Sequence, residues 1–296
     1  MPPRTPGGQG GRGPGPRRGA AAGPRRAPAR EREGGARPRA VDRGLGGQIV
    51  AGRNAVRELL AAGHRPVREV FFAEGIDPAP VLDDIAAFAA KAGVPIRTLP
   101  RARLDALAET DAPQGVVARA APLPEADLST LAAPVRPGGP PPFLVALDGV
   151  TDPHNLGAII RSAESAGATG LILTRHRAAH VTPTVTKAAA GAIEYMPMAV
   201  VPGLPAALQE LQSRGVWTVG LAGDAPQTVF DLPVADGPVC LVLGSEGTGL
   251  SRLVRQRCEI VVGIPRLGRT ESLNVSAAAA VACFEVARRR TASDSR

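Results

Sequence analysis

The part of the chain that most constrains the fold is residues 143–264, where apolar segments alternate with stretches of helical periodicity. The segments 143–148 and 239–243 are short runs of nearly continuous apolar residues. Such runs are typical of strands that are buried on both faces of a parallel sheet. Strands are predicted at 143–148, 170–174, 197–201, 216–221, 239–243 and 259–264, and helices at 155–167, 184–191, 204–213, 250–257 and 273–289. The sequence therefore predicts an α/β domain over 143–290, with an open, mostly parallel sheet covered by helices on both sides.

A smaller α/β unit is predicted before this domain, over residues 47–122. Its helices are expected at 52–60, 81–92 and 101–108, and its strands at 69–73, 96–99 and 115–119. A unit of this size can fold independently. The segment 123–142 is rich in proline and glycine. We expect it to be a semi-extended linker that holds the two domains apart without fixing their angle. Residues 291–296 are expected to form a short C-terminal tail.

The first 46 residues carry all of the net charge of +8. They contain eleven arginines against three acidic residues, while residues 47–296 contain 24 basic and 24 acidic residues. Twenty of these 46 residues are glycine or proline. A segment so poor in apolar side chains is expected to be disordered. It would either contact RNA phosphates electrostatically or act only as a solubilising extension.

The composition argues against several classes of protein. No apolar run approaches the ~20 residues that span a bilayer, and the N-terminal segment lacks the apolar core of a secretory signal. Cys240, Cys258 and Cys283 are widely spaced within apolar runs, which indicates buried thiols in a reducing compartment. No histidine and cysteine pair has the spacing of a zinc site. We therefore expect a cytoplasmic protein that binds no metal.

Three polar segments lie where a predicted strand leads into a helix. They are residues 152–161, 244–249 and 272–276. Open α/β sheets build their ligand sites at the carboxyl ends of the strands, where such junctions meet. The three segments therefore predict one composite site.

Each junction can also be explained by local structure alone. In the first, Asn155 could be an ordinary helix N-cap and Arg161 a solvated charge; as site residues they would suit a polyanionic ligand, with Asn155 acting from the cap. In the third, Ser272 is a natural N-cap, whereas Asn274, one turn deeper, has no such simple explanation.

The second junction holds Glu246 within a glycine-rich turn. The order of its glycines does not match the dinucleotide fingerprint, and the turn lacks the lysine of a phosphate-binding loop. Glu246 would repel a phosphate, so the turn suits a ligand with hydroxyl, amine or sulfonium groups. The alternative is a tight turn between strand and helix.

Together the three segments resemble the three motifs of the SpoU (TrmH-like) branch of the SPOUT RNA methyltransferases. The sequence 147–157, Leu-Asp-Gly-Val-Thr-Asp-Pro-His-Asn-Leu-Gly, is nearly an exact instance of the first motif. The resemblance is closest to enzymes that methylate the ribose 2′-hydroxyl of a guanosine in large-subunit ribosomal RNA. It is strong over 143–290 and weaker over 48–121, which resembles an L30e-like substrate-binding domain. Residues 269–271 depart from the small or apolar residues of the family.

This resemblance implies S-adenosylmethionine as the methyl donor and a SPOUT-type α/β-knot domain. It also implies a homodimer with each active site at the subunit interface. The cofactor-binding positions it implies are Gly244, Ile264 and Leu273. The catalytic and site-forming positions it implies are Asn155, Arg161, Glu246, Ser272 and Asn274. We expect the last helix to form the dimer contact through the small residues 277–282.

Arg161 is expected to orient the substrate and stabilise a developing 2′-alkoxide, because a guanidinium has no acceptor and stays protonated. Two rival functions remain: the same chemistry on another ribosomal or transfer RNA nucleotide, and an RNA-binding or ribosome-assembly factor without catalysis. A dinucleotide-dependent oxidoreductase is disfavoured by the glycine order and by the lack of a ribose-binding acid.

Overall fold

A computed structural model of the chain describes residues 45–176, 178–269 and 272–294. Residues 1–44 of the predicted tail lie outside the described residues, as do Thr270 and Glu271 in the loop that departs from the family pattern. Leu45 and Gly46 already belong to the folded part: the Leu45 amide donates to the Leu123 carbonyl at 3.1 Å, and Gly46 pairs with Val181.

The N-terminal part is a four-stranded mixed sheet with helices on both faces. Its elements are β1 (Ile49–Ala51), α1 (Arg53–Ala62), β2 (Val67–Ala73), α2 (Pro80–Ala92), β3 (Ile96–Leu99), α3 (Arg101–Ala108) and β4 (Val116–Ala120). The strand order is β1-β4-β2-β3, with only β2 and β3 parallel. Helices α1 and α2 pack on one face of the sheet and α3 on the other. The apolar spacing in α1 (55, 56, 59 and 60) explains why that face is buried.

The C-terminal part is a seven-stranded sheet in which every strand pair is parallel. Its elements are β5 (Phe143–Asp148), α5 (Pro153–Ser165), β6 (Gly170–Thr174), α6 (Pro183–Ala188), β7 (Met198–Val201), α7 (Leu204–Ser213), β8 (Trp217–Leu221), β9 (Gln227–Thr228), β10 (Val239–Gly244), α8 (Arg252–Arg257), β11 (Ile260–Gly263) and α9 (Val275–Asp294). The strand order is β7-β6-β5-β10-β8-β11-β9. Along β5, Phe143, Val145 and Leu147 face the core under α5, α6 and α9, whereas Leu144 and Ala146 face α7 and α8. The predicted parallel sheet with two covered faces is confirmed.

The proline-rich segment does not hold the two parts away from each other. Its first half contains the short helix α4 (Leu128–Leu131), and both Leu123 and Leu131 are buried. The Ala126 amide donates to the Met198 carbonyl at 2.8 Å, which fastens the segment beside β7. The expectation of a simple spacer is wrong here because the leucines between the prolines gain more by packing on the sheet than by staying in solvent.

The two parts meet along an interdomain seam, formed by α1 and residues 63–65 on one side and residues 189–195 on the other. Arg65 Nε and Nη2 donate to the two carboxylate oxygens of Glu194 at 2.8 and 2.6 Å. The two side chains are only 3% and 1% exposed. Arg65 also donates to the Gly47 carbonyl at 2.7 Å, and His64 Nδ1 lies 2.8 Å from the Glu194 carbonyl. These contacts fix the angle that the sequence left open.

Candidate functional site

A cavity of about 400 Å³ opens at the carboxyl ends of β8, β10 and β11. Three chain segments form its walls: the turn after β8, the glycine-rich turn after β10, and the loop between β11 and α9. Its lining includes the three positions expected to bind a cofactor, Gly244, Ile264 and Leu273, together with Glu246 and Ser272. The walls combine apolar side chains such as Leu221, Leu243 and Val262 with backbone of the turns. Strands that end together thus bring two of the three polar junctions to one cavity.

The glycine-rich turn is folded tightly onto the end of β10. The Ser245 amide donates to the Gly249 carbonyl at 3.1 Å, and the Gly249 amide donates to the Ser245 carbonyl at 3.0 Å. A Cβ atom on Gly244 would lie 2.0 Å from the Gly249 carbonyl carbon. Asp148 Oδ2 accepts from the Ser251 amide at 2.7 Å and ties the end of this turn to β5. The turn therefore has the tight local structure of the alternative interpretation and also forms a wall of the cavity.

Asn155, Glu246 and Asn274 come together beside the cavity. Asn274 Nδ2 donates to Asn155 Oδ1 at 3.0 Å and to Glu246 Oε1 at 2.5 Å. Asn155 is buried, whereas Glu246 and Asn274 are exposed. These side chains come from all three junctions, so the prediction that the junctions meet agrees with the structure.

The predicted helix caps of this site are wrong. Helix α5 begins at Pro153, and its N-cap is Asp152, whose carboxylate accepts from the His154 amide at 2.9 Å. Proline favours the first position of a helix, so the helix starts earlier than predicted and Asn155 lies inside its first turn. Helix α9 begins at Val275, and Asn274 Oδ1 accepts from the Ser276 amide at 2.9 Å. Asn274 is therefore the capping residue that Ser272 was expected to be.

Arg161 lies apart from this group within its own chain. It lines a different cavity, of about 350 Å³, together with Asn54, Glu58, Glu164 and Tyr195 at the interdomain seam. Its side chain is exposed and forms no hydrogen bond or ion pair with any residue that the structure describes. The structure therefore brings four of the five expected site-forming residues to one edge of the sheet, whereas Arg161 lies elsewhere.

The sequence interpretation missed three charged residues at the cavity, Asp224, Arg255 and Arg266. Asp224 and Arg255 both line it, and Arg255 Nη1 lies 2.9 and 3.0 Å from the two carboxylate oxygens of Asp224. The hydrogen bond from Arg255 lowers the pKa of Asp224 below its usual range. Asp224 is the third residue after the end of β8, so the rule that located the other junctions could have located this one.

Helix α9 uses part of its small-residue stripe within the chain. Ala279 and Ala282 are fully buried in the core that α9 shares with α5. The expectation that the whole stripe faces a second subunit is therefore wrong for these two residues. Ala277 is exposed and Phe284 is 51% exposed, so another face of the same helix remains open in the monomer.

Other expectations concern thiols, metals and membranes. Burial raises the pKa of Cys283 to about 12, and it also raises that of the less buried Cys258 to about 12. Cys240 is fully buried.

Among residues 45–176, 178–269 and 272–294, no three histidine, cysteine or carboxylate side chains are grouped as metal ligands. None of the helices described is long and apolar enough to span a bilayer.

The chain matches two protein-family models and resembles known RNA methyltransferases. Residues 142–284 match the model of the SpoU rRNA methylase family, and residues 49–126 match that of RNA 2′-O ribose methyltransferase substrate binding. A 23S rRNA (guanosine-2′-O-)-methyltransferase RlmB from Pseudomonas putida is 39% identical over 81% of this chain and 96% of its own. A putative TrmH family tRNA/rRNA methyltransferase from Staphylococcus haemolyticus is 37% identical over 82% of this chain and 96% of its own.

A solved structure of another SpoU methyltransferase has a similar fold. The SpoU methyltransferase AviRb from Streptomyces viridochromogenes, in complex with the cofactor AdoMet, is 27% identical. It superimposes with a TM-score of 0.67 over 82% of this chain and 90% of its own. The SPOUT-type fold class expected from the three motifs is confirmed.

Proposed function

The chain belongs to the SpoU rRNA methylase family, and on that premise we propose that it transfers a methyl group from S-adenosylmethionine to a ribose 2′-hydroxyl in RNA. The observation that carries this proposal is the meeting of Asn155, Glu246 and Asn274 at a cavity lined by Gly244, Ile264 and Leu273. The target that the curated relatives favour is a guanosine of 23S ribosomal RNA. Such a substrate favours the cytoplasm as the place of action.

The cavity fits S-adenosylmethionine in size and chemistry. Its volume of about 400 Å³ is within the range of small-molecule sites, which are mostly apolar with a few polar groups. Ile264 and Leu273 offer apolar surface for a nucleoside base, and the bare backbone at Gly244 allows close approach. Glu246 and Asp224 place carboxylates at the same cavity, which suit the sulfonium and amino groups of the cofactor, and Arg255 and Arg266 place cations there, which suit its carboxylate. Bound there, the cofactor would supply an electrophilic methyl group.

The residues of the chain divide the remaining work. Asn274 holds Glu246 and Asn155 in place through both hydrogens of its amide. Arg161 would neutralise the charge that develops on the ribose oxygen, because a guanidinium donates hydrogen bonds but cannot accept a proton. Ser272 lines the cavity and is placed to contact the substrate or the cofactor.

Arg161 would reach the cavity of a second subunit. We propose a homodimer in which each active site combines Arg161 of one chain with Asn155, Glu246 and Asn274 of the other. Two observations support it: Arg161 lies apart from these residues in its own chain, and Phe284 on α9 is half exposed. An exposed aromatic side chain on a helix next to the site is typical of an interface.

Complementation between two inactive variants tests this arrangement. Arg161→Ala and Asn274→Ala should each lose methyl transfer to 23S rRNA transcripts, measured with a radiolabelled methyl donor. After the two variants exchange subunits, half of the dimers are mixed and each mixed dimer holds one intact site, so about a quarter of wild-type activity should return. Failure of activity to return, with subunit exchange verified by mass spectrometry, would contradict the shared site.

The same chemistry on another RNA is the second candidate. The relative from Staphylococcus haemolyticus, which carries the name tRNA/rRNA methyltransferase, favours it. Mapping 2′-O-methylation in RNA from a deletion strain separates the two: loss at a single 23S guanosine supports the first, and loss in transfer RNA supports the second.

A further inference from the structure

Two cavities share Asn54: one lies within the N-terminal part and the other at the interdomain seam. The first, of about 400 Å³, is lined by eight residues of the N-terminal part, among them Arg53, Arg101 and Gln114. The second is the cavity that contains Arg161, Glu58 and Tyr195. Asn54 lines both cavities, so they adjoin at this residue, and the two cavities together are called the path. The cofactor cavity does not include any of these residues.

The first cavity carries two arginines that suit an anion. The Arg53 backbone amide donates to Gln114 Oε1, and the Arg53 side-chain Nε donates to the Gln114 carbonyl, each at 3.1 Å. These two bonds hold the Arg53 side chain in place. Arg101 is exposed and forms no ion pair among the described residues. Asp77 also lines this cavity, which leaves a formal charge of one positive. Arginine donors held in this way suit a single phosphate of a nucleic-acid backbone.

The second cavity carries an aromatic ring in a fixed orientation. Tyr195 Oη donates to Glu58 Oε2 at 2.9 Å, and His64 contacts the Tyr195 ring edge to face with centroids 5.9 Å apart. The side chain of Tyr195 is nevertheless 40% exposed. Aromatic side chains that are held rigid and half exposed beside cations are the platforms on which single-stranded bases stack.

We propose that this path binds a single-stranded segment of the RNA substrate. Arg53 and Arg101 contact one phosphate, Tyr195 stacks on the base next to the methylated nucleotide, and Arg161 lies at the end of the path. The proposal rests on the proposed function, since it assigns the RNA route into that site. The buried Arg65–Glu194 pair fixes the position of the first cavity relative to the second, because it joins the two parts of the chain beside Tyr195.

The combination of groups favours RNA over a protein or a lipid partner. A membrane surface is recognised by clustered basic residues, whereas this path holds three arginines and three carboxylates and has no net formal charge, so recognition here depends on single phosphates and on bases rather than on a basic patch. An amide, carboxylates and one aromatic ring instead match the edges and faces of unpaired bases.

Binding and kinetics with a 23S rRNA transcript test the path. Tyr195→Ala should weaken RNA binding about tenfold and raise KM for RNA, because a stacked base is lost. Tyr195→Phe keeps the ring and should bind within about twofold of wild type by the same argument. Arg101→Ala should lower the slope of binding against salt by about 0.7, as expected for one lost phosphate contact on a single strand.

The control is Arg214→Ala, a half-exposed arginine directly after α7 that pairs with Glu210 and lies on neither cavity. It should leave RNA affinity and the salt slope unchanged. Affinity for S-adenosylmethionine should be unchanged in all four variants. Wild-type RNA affinity in both Tyr195→Ala and Arg101→Ala would overturn the proposal. So would an equal loss in Arg214→Ala.

Mixed dimers locate the path relative to the active site. In the complementation experiment, Tyr195→Ala should lower the recovered activity when it is placed on the chain that keeps Arg161. It should have no effect on the chain that keeps Asn274. The reverse pattern would contradict the path. If no variant combination transfers methyl groups at all, the proposed function fails, while the RNA-binding comparison still decides the path.

Discussion

At the scale of single residues, Asn274 combines two functions that usually belong to different side chains. Its carbonyl oxygen accepts from the Ser276 amide and caps α9, while its amide nitrogen donates to Asn155 and Glu246. One amide group offers one acceptor and two donor hydrogens, and all are used here. The start of the helix therefore fixes the orientation of the site carboxylate.

Gly244 offers a test of the cofactor cavity. Gly244→Ala should reduce affinity for S-adenosylmethionine by more than about tenfold, because its Cβ would collide with backbone of the turn rather than with the ligand alone. Gly268→Ala is the matched control, since a Cβ there meets nothing within 4 Å. Titration calorimetry on both folded variants measures the difference. Unchanged affinity in Gly244→Ala would place the cofactor elsewhere.

Tyr195 should titrate well above an ordinary tyrosine. Burial, and then the hydrogen bond to Glu58, raise its pKa from 10 to about 12. The folded state thus keeps a proton that the unfolded chain loses near pH 10, so this group stabilises the fold below pH 10 and loses that effect as pH rises towards 12. The chain has one tyrosine, so tyrosinate absorbance reports it directly. Glu58→Gln should lower the pH midpoint of the tyrosinate absorbance change. A midpoint in the folded protein equal to that of the denatured chain would refute the raised pKa.

At the scale of elements, helix α9 returns across the sheet to pack on α5. It follows β11, yet its capping residue Asn274 contacts both the turn after β10 and the first turn of α5. The fully buried Ala279 and Ala282 allow this close approach. Small residues in α9 therefore stabilise the site within one subunit before any second subunit is considered.

The Arg65–Glu194 pair should be the strongest link between the two parts of the chain. Glu194→Gln leaves Arg65 as an uncompensated buried charge, which typically costs about 3 kcal/mol of unfolding free energy. Glu210→Gln removes the same charge from the exposed pair with Arg214 and should cost about 0.5 kcal/mol or less. Denaturant unfolding of both variants measures the contrast. Equal losses would show that the buried pair does not hold the seam.

At the scale of the whole molecule, the net charge is concentrated in one part of the sequence. Residues 47–296 are neutral in sum, and the arginines of residues 1–46 supply the excess. Deleting residues 1–44 keeps Leu45 and Gly46, which bond to the folded part. The truncated protein should bind RNA more weakly and with a shallower salt dependence, by about 0.7 per lost phosphate contact.

The same truncation should leave the preferred nucleotide unchanged, because phosphate contacts position RNA without reading its sequence. Turnover at saturating RNA should stay close to that of the full chain. Fluorescence anisotropy over a range of salt concentrations, together with mapping of the methylated position, checks both expectations. An identical salt slope would leave the tail as a solubilising extension.

The parallel sheet, its two covered faces and the three polar junctions were all predictable from the amino-acid sequence. These features follow from local patterns: continuous apolar strands, helical spacing, and glycine with polar residues at strand ends. The sequence was less reliable at short elements and helix starts. Strands β1 and β9 have three and two residues, too few to show a period, and Asp152 with Pro153 moved the start of α5.

Which of these segments come into contact depends on the three-dimensional fold. Asn155, Glu246 and Asn274 converge because β10 lies between β5 and β8 in the sheet and α9 packs on α5. Arg161, six residues after Asn155 on the same helix, faces the interdomain seam instead. Arg65 and Glu194 are 129 residues apart in sequence. Pairing over such a separation depends on strand order and on packing across the seam, and neither leaves a periodic signal in the sequence.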